Sequence, residues 1–321
     1  PPAEYVFVAL PFHPDTMEPL SISAGTPAPG SYPGIALGKL HVTSPAHPPA
    51  PDTLDLPRAN IPMGADLTLI GYSQDRAEAA PGQGMLLTLG WQARRPPQAD
   101  YVLRLELVAP DGQVVTTLSL PPGGDRYPTS RWAAGEVVRT QTLAHIPGRA
   151  TSGEHFWRAT LLDKNGTSVG QATLGQLHIV APERTFDLPP VDRRIDARLG
   201  DWVALVGVNA PDHVAPGQAI SITLVWQALG ETSQGFKTFV HLLDTDGQLV
   251  AQSDAVPAGW TRPTSGWQPG EFVQDPHVLV PKRNLPPGEY RLLAGMYVGD
   301  GRRLLLAAGG DAVELGTIQV K

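Results

Sequence analysis

The residues best suited to binding chemistry lie in a Trp- and Arg-containing loop that occurs twice, as RYPTSRW (126–132) and TRPTSGW (261–267). An indole beside guanidinium and hydroxyl groups can stack on a sugar ring and hydrogen-bond its rim. On this hypothesis the ligand-binding residues are Arg126, Arg131, Trp132, Trp260, Arg262 and Trp267. The alternative is a long connection whose Thr and Ser side chains bond its own backbone, with the indole capping the edge of the fold. Trp260 aligns with Asp125 and is therefore expected to be exposed.

Residue types and spacing do not favour catalysis or metal binding. The nine histidines form no His-x-His or HExxH motif, and the sequence contains no nucleophile elbow, phosphate loop or dinucleotide fingerprint. Asp244 and Asp246 have the spacing of a calcium loop, but the other copy has Ala109 and Asp111 there, which favours a turn. Paired carboxylates for glycoside hydrolysis stay open, because their separation is set in three dimensions. The sequence predicts no enzyme, no catalytic residue, no metal and no cofactor.

The two loops belong to a repeat that organises the chain. APGQGMLLTLGWQA (80–93) aligns with APGQAISITLVWQA (215–228), and SGEHFWRATLL (152–162) aligns with PGEYRLLAGMY (287–297). All of these segments, and the two loops, are separated by the same 135 residues that separate Trp91 from Trp226. So many matches in one order indicate two homologous copies.

Within each copy, apolar and polar residues alternate with the period of a half-buried strand, as at 220–226. Asp-Gly at 111–112 and 246–247 and Asn-Gly at 165–166 are typical of hairpin turns. The fold class predicted is all-β, with tandem immunoglobulin- or fibronectin-III-like sandwiches of seven strands joined by Pro-rich linkers. Trp91 and Trp226 lie on the apolar face of a strand and are expected in the two cores.

The alignment extends to the beginning of the chain, where PPAEYVFVAL (1–10) matches PPGEYRLLAG (286–295). The predicted organisation is therefore the last two strands of an incomplete β-sandwich (1–42), a Pro-rich linker (43–65), a β-sandwich (66–180), a linker (181–200) and a β-sandwich (201–321). An isolated hairpin is marginal in water. We therefore expect that Pro1 is not the natural N-terminus and that the intact protein has at least three sandwiches. The less favoured alternative is that the hairpin adds to a sheet edge of another molecule.

Composition narrows the partners further. The formal net charge is −7, with 24 Lys and Arg against 31 Asp and Glu and no basic block. This balance argues against nucleic acid and against an anionic membrane surface. No apolar run is long enough to span a membrane, and without cysteine there are no disulfides or thiolate metal sites.

The series APGQ, LxWQA, DGQLVAQSD, TRPTSxW, LPPGEYR and LGTIxV resembles a repeat in exported regions of large bacterial surface and membrane proteins. These include the outward-facing C-terminal regions of glycosyltransferase-like polytopic proteins. The resemblance covers 66–180, 201–320 and part of 1–42, and it carries no catalytic residues. It implies a non-enzymatic extracytoplasmic spacer or interaction module, at the cell surface or secreted, within a larger surface or membrane-anchored protein. The alternative is a carbohydrate-binding module accessory to a glycosyltransferase or the cell envelope. The expected partners are protein domains of the same or a neighbouring chain, with cell-envelope glycan as a candidate.

Overall fold

The computed structural model describes residues 2–11, 34–43, 48–281 and 285–321. In these ranges nearly all regular structure is β-strand, arranged in several sheets, which confirms the all-β prediction. Helical segments in the described ranges are short turns, at Pro51–Leu54, Thr129–Arg131, Pro257–Trp260 and Thr264–Gly266.

The first two strands, β1 (Ala3–Ala9) and β2 (Ile35–Val42), pair only with each other among the described residues. They are antiparallel, and their register shifts between Phe7 and Val8. The Phe7 side chain is 58% exposed, so the apolar face of the hairpin is open. The hairpin does not complete the sandwich predicted at 66–180, and residues 12–33, which fall in the predicted incomplete sandwich, lie outside the described ranges.

The next part of the chain, here called unit I (residues 58–180), contains a four-stranded and a five-stranded sheet. The four-stranded sheet has the order β3-β4-β6-β9, and the five-stranded sheet has the order β5-β11-β10-β7-β8. The strands are β3 (Arg58–Met63), β4 (Leu67–Gln74), β5 (Glu78–Ala79), β6 (Gly84–Ala93), β7 (Val102–Val108), β8 (Val114–Leu120), β9 (Val137–His145), β10 (Gly153–Leu162) and β11 (Ser168–Ile179).

The remaining part, unit II (residues 193–320), repeats this arrangement with the orders β12-β13-β15-β18 and β14-β20-β19-β16-β17. Its strands are β12 (Arg193–Leu199), β13 (Val203–Asn209), β14 (His213–Val214), β15 (Ile220–Ala228), β16 (Lys237–Leu243), β17 (Leu249–Ala255), β18 (Phe272–Leu279), β19 (Gly288–Tyr297) and β20 (Val313–Val320). The cross-strand register repeats as well, because Trp91 pairs with Val138 and Trp226 pairs with Val273.

Each unit has its own apolar core, filled from both of its sheets. Trp91 and Trp226 are fully buried at equivalent places, as predicted. Tyr290, at the start of β19, donates its hydroxyl to the Pro286 carbonyl at 2.9 Å. This hydrogen bond back to the preceding backbone is the geometry of a tyrosine corner.

In the described ranges each unit has nine strands where seven were predicted, because the two-residue strands β5 and β14 were not expected and because β3 and β12 lie in segments that the sequence assigned to linkers. The Pro-rich composition around β3 and β12 favoured a linker over a strand. In β12, however, burial alternates, and the side chains of Ile195, Ala197 and Leu199 are turned towards the core of unit II. The connectors that precede these strands also pack on the units. A Cβ on Gly71 would lie 2.8 Å from the Leu56 Cβ, so glycine allows the connector to approach the sheet.

Candidate functional site

The two loops predicted to bind a ligand are built mainly for folding. The Thr264 hydroxyl accepts the Phe236 amide at 2.9 Å and donates to the Gln234 carbonyl, and Thr129 is bonded in the same way in unit I. Trp132 and Trp267 are each 2% exposed, and their Nε1 atoms donate to backbone carbonyls of their own loops. A buried indole offers no ring face to a sugar, so these two residues have the capping role of the alternative interpretation.

The predicted arginines are divided among three environments. Arg126 is exposed. Arg131 is exposed, donates to the Pro2 carbonyl at 3.2 Å, and places its guanidinium 5.6 Å from the centre of the Tyr127 ring. Arg262 is different, because its guanidinium is largely buried against the carboxylate of Glu271. Arg262 is therefore occupied within the fold.

Glu271 is the centre of a buried charge cluster that sequence reasoning missed. Its carboxylate is fully buried and accepts hydrogen bonds from Arg184, Arg262 and the Gln268 amide. In unit I the equivalent Glu136 accepts the Tyr127 hydroxyl at 2.5 Å and a backbone amide. The signal was the Pro-Gly-Glu or Ala-Gly-Glu that closes both loops, because an acid kept in both copies has a shared local role.

The loop of unit II also joins the two units. Ser265 donates its hydroxyl to the Gly82 carbonyl at 3.0 Å, and the side-chain amide of Gln268 donates to the Gly148 carbonyl at 3.0 Å. A Cβ on Gly82 would lie 2.7 Å from the Gly266 nitrogen, so the backbones touch without side chains between them. Residues 263–268 therefore form a joint between unit I and unit II and are not a free surface.

Trp260 is the exception among the predicted residues. Its side chain is 62% exposed, whereas the other six tryptophans are at most 7% exposed. It ends a turn in which Ala258, Gly259 and Trp260 all have positive φ, between 55° and 72°. An Ala and a Trp in the left-handed region cost about 1 kcal/mol or more each. The fold therefore holds a large aromatic ring in water at an energetic cost.

Trp260 borders a row of side chains on the outer surface of the five-stranded sheet of unit II, here called the aromatic face. The Lys237 ammonium lies 5.2 Å from the centre of the Trp260 ring, and Tyr297 is the cross-strand neighbour of Lys237. Phe239 follows, with its ring centre 6.4 Å from Tyr297 and 4.6 Å from His241. Phe239 is only 1% exposed, because Arg303 covers its ring. From Lys237 to His241 the face extends about 13 Å along β16. Its members are Trp260, Lys237, Tyr297, Phe239, His241, Arg303 and Asp254.

The charges on this face are arranged around Phe239. The Arg303 guanidinium lies 4.5 Å above that ring and pairs with Asp311 at 3.3 Å. Burial and the nearby Arg303 lower the pKa of His241 below its usual value, so the imidazole is neutral at pH 7. Burial and the hydrogen bond to Asp254 raise the pKa of Tyr297. The face therefore offers one lysine cation, a neutral imidazole and a phenol beside an exposed indole.

Unit I has no such face. The positions equivalent to Lys237, Phe239 and His241 are Val102, Arg104 and Glu106. There Glu106 pairs with Arg158 at 2.9 Å. The aromatic face belongs to unit II alone, and sequence reasoning missed it because it searched for what the copies share. The available signal was that the two copies differ at every second, outward-facing position of β16 and β7.

The other predicted absences concern metals and membranes. Among the described residues, no group of three or more His, Asp or Glu side chains is placed to hold a metal ion. In the same ranges, the structure contains no helix with the length and apolar character needed to cross a bilayer.

Comparison with known proteins adds little. No family model matches the chain, and no curated protein matches it. One solved structure with partial similarity is the Pseudomonas fluorescens alkylpurine DNA glycosylase AlkC bound to DNA containing an abasic site analogue. The identity is 18%, the alignment covers 36% of this chain and 31% of that chain, and the TM-score is 0.23. A likeness at this TM-score assigns no function to the chain.

These results correct the functional interpretation drawn from the sequence. The solved structure reported above is a DNA glycosylase, and no matching family model or curated protein supports a relation to glycosyltransferase-like or surface proteins. The functional interpretation as a spacer or interaction module is therefore corrected and withdrawn, whereas the extracytoplasmic location stays a prediction. Its alternative, a carbohydrate-binding accessory of a glycosyltransferase or envelope, is withdrawn with it.

Proposed function

We propose that this chain is a non-catalytic binding protein whose ligand is a molecule with a planar ring and an attached anionic group. The binding site is the aromatic face of unit II, with Trp260 and Lys237 together at one end of it. The observation that carries the proposal is the exposed Trp260 ring, held by three consecutive residues with positive φ next to an ammonium group. Backbone strain of this kind is concentrated at ligand sites.

These two residues supply complementary interactions. The indole face of Trp260 can stack on a planar ring, which removes apolar surface from water. The Lys237 ammonium lies beside the indole ring, and no ion pair of Lys237 is found within the described residues, so this ammonium is available to an anion. Arg303, by contrast, is engaged with Phe239 and Asp311. An anionic substituent on the stacked ring would therefore pair with Lys237.

The remaining residues of the face suit the polar edge of such a ring. Neutral His241 has one nitrogen that donates and one that accepts, and Tyr297 contributes a phenol bonded to Asp254. Nucleoside monophosphates have the required chemistry, because each joins a planar base to an anionic phosphate group.

We further propose that units I and II are immunoglobulin- or fibronectin-III-like sandwiches. Their sheet orders support this, because in each unit the strands flanking the inner Trp strand form one sheet and the remaining strands form the other. The two cores and the corner at Tyr290 support it as well. In such folds a ligand site on an outer sheet face needs no rearrangement of the core.

The test is a titration of the whole chain with a nucleoside monophosphate, the corresponding neutral nucleoside and inorganic phosphate, with binding measured by isothermal titration calorimetry. We expect millimolar or tighter binding of the nucleoside monophosphate and weaker binding of the nucleoside and of phosphate. Trp260→Ala should weaken binding about tenfold, since stacking on an aromatic side chain contributes about 1–3 kcal/mol. Lys237→Gln should weaken binding of the nucleoside monophosphate and remove most of its salt dependence.

Phe186→Ala is the matched control, because Phe186 is an exposed aromatic residue (52%) in the connector between the units. It should leave every affinity unchanged. The proposal is refuted if the nucleoside monophosphate does not bind at millimolar concentration. It is refuted as well if binding is equally strong in Trp260→Ala and in the unaltered chain.

A further inference from the structure

The turn that presents Trp260 is hydrogen-bonded to the interior of unit II through Asp275. Asp275 on β18 is fully buried, and its Oδ1 accepts the backbone amide of Ala258 at 2.8 Å. Ala258 is the first of the three residues with positive φ. The hydrogen bond therefore fixes the backbone where the left-handed segment begins.

Asp275 is in turn held by a buried polar network. Its Oδ2 accepts Trp226 Nε1 at 3.2 Å and lies 3.1 Å from His277 Nε2. The other imidazole nitrogen, Nδ1, lies 3.0 Å from the Ser253 hydroxyl. A proton on Nε2 satisfies Asp275, and Nδ1 then accepts the hydroxyl proton of Ser253. Every polar atom of the network thereby has a partner.

These are the residue types of a nucleophilic triad, but the arrangement does not suit catalysis. The side chains of His277 and Asp275 are wholly buried, and His277 Nε2 is also 3.2 Å from the Thr238 hydroxyl. A substrate bound at Ser253 would have to reach the imidazole that acts as its base, and there is no room for it. The network therefore has a supporting role.

Unit I lacks the network and the presented ring together. The positions equivalent to Asp275, His277 and Ser253 are Thr140, Thr142 and Leu118. There Trp91 Nε1 has no hydrogen-bond partner, and the position of Trp260 is occupied by Asp125. The network is therefore not needed for the fold that the two units share. It occurs in the unit that exposes a tryptophan.

We infer that Asp275 is a positioning residue for Trp260, with His277, Trp226 and Ser253 keeping its carboxylate in place. The functional importance of this inference rests on the proposed function, because the position of Trp260 matters only if that ring binds a ligand. The physical claim is independent of any ligand. Without the carboxylate, the Ala258 amide loses its acceptor and the left-handed turn can relax.

The experiment uses the full chain labelled with 5-fluorotryptophan and observed by ¹⁹F NMR. The seven tryptophans give seven resonances, and Trp260→Phe assigns that of Trp260. In Asp275→Ala we expect the Trp260 resonance to move towards that of free fluorotryptophan and its iodide quenching to rise at least twofold. The resonances of Trp202 and Trp267, which are buried in the core of unit II, should not move, which shows that unit II is folded.

Asp275→Asn is the conservative variant, since its side-chain oxygen can still accept the Ala258 amide. It should keep the Trp260 resonance close to its original position even if Asp275→Ala unfolds unit II. An unchanged Trp260 resonance in a folded Asp275→Ala variant overturns the inference, and so does a Trp260 resonance in Asp275→Asn that shifts as far as in Asp275→Ala. If the resonance moves as expected and no ligand binds the unaltered chain, the proposed function fails and the positioning role stands.

Discussion

Replacing Glu271 by Gln should destabilise unit II strongly, because the carboxylate balances two arginines in a dry site. The Glu271 side chain is 0% exposed and is bonded to Arg184, Arg262 and the backbone amide of Gln268. The two guanidinium groups are themselves only 11% and 14% exposed. Removing one partner of a buried ion pair costs about 3–5 kcal/mol, because the remaining charge is left uncompensated.

Glu136→Gln in unit I provides the matched control. Glu136 occupies the same place, but its carboxylate accepts the Tyr127 hydroxyl and the Ala133 amide, with no arginine bonded to it in the described structure. The loss is then one of hydrogen bonds to a charged group, about 1–3 kcal/mol. The contrast between the two variants isolates the effect of the arginines.

Urea unfolding, monitored by tryptophan fluorescence, measures the free energy of unfolding of both variants. Hydrogen exchange with mass spectrometry assigns each loss of stability to a unit. We expect Glu271→Gln to lower the free energy of unfolding of unit II by about 3–5 kcal/mol and to speed exchange at the joint near Gly148. Equal losses in the two variants, or a smaller loss in Glu271→Gln, would refute the account of the cluster.

Three other predictions concern the core, the aromatic face and the joint. Trp226→Ala should lower the free energy of unfolding of unit II by about 3–5 kcal/mol in urea titrations, and a loss below 1 kcal/mol would contradict its place in the core. Because the folded-state pKa of His241 lies below its usual 6.5, the contribution of His241 to stability should be constant above about pH 6.5 and fall as the pH decreases below that value. NMR titration should show this pKa rising in Arg303→Ala, and no rise would exclude the arginine as a cause. Gly266→Ala places a Cβ against the Pro81 carbonyl, so small-angle scattering should show the two units separating while circular dichroism stays unchanged; an unaltered scattering profile would contradict the tight joint.

The sequence was sufficient for features whose periodicity is local. The alternation around Trp91 and Trp226 predicted their strands and their burial, because a side chain on every second residue of a half-buried strand must face the core. The strands β3 and β12 were missed for a physical reason. Proline removes backbone donors, and the connector sequences therefore resembled linkers, although edge strands tolerate that loss.

The candidate site was predictable only in part, because burial of a loop residue depends on what packs over it. Trp132, Trp267 and Trp260 have the same chemistry in the sequence, yet only Trp260 is exposed. Arg262 is occupied because it pairs with the buried carboxylate of Glu271, and Arg184 from the connector pairs with the same carboxylate. Such contacts between distant segments have no periodic signature in the sequence.

A tandem repeat nevertheless contains information that separates the two kinds of residue. Residues kept in both copies, such as Trp132 and Trp267, have the same buried role twice, which is what a shared fold requires. Residues that differ between the two copies do not have this shared structural role, and Trp260, which aligns with Asp125, is one of them. Lys237 aligned with Val102 is another, at an outward position of a strand. A ligand surface in one copy must be built from such differences, so divergence between the copies is a better guide to the site than agreement.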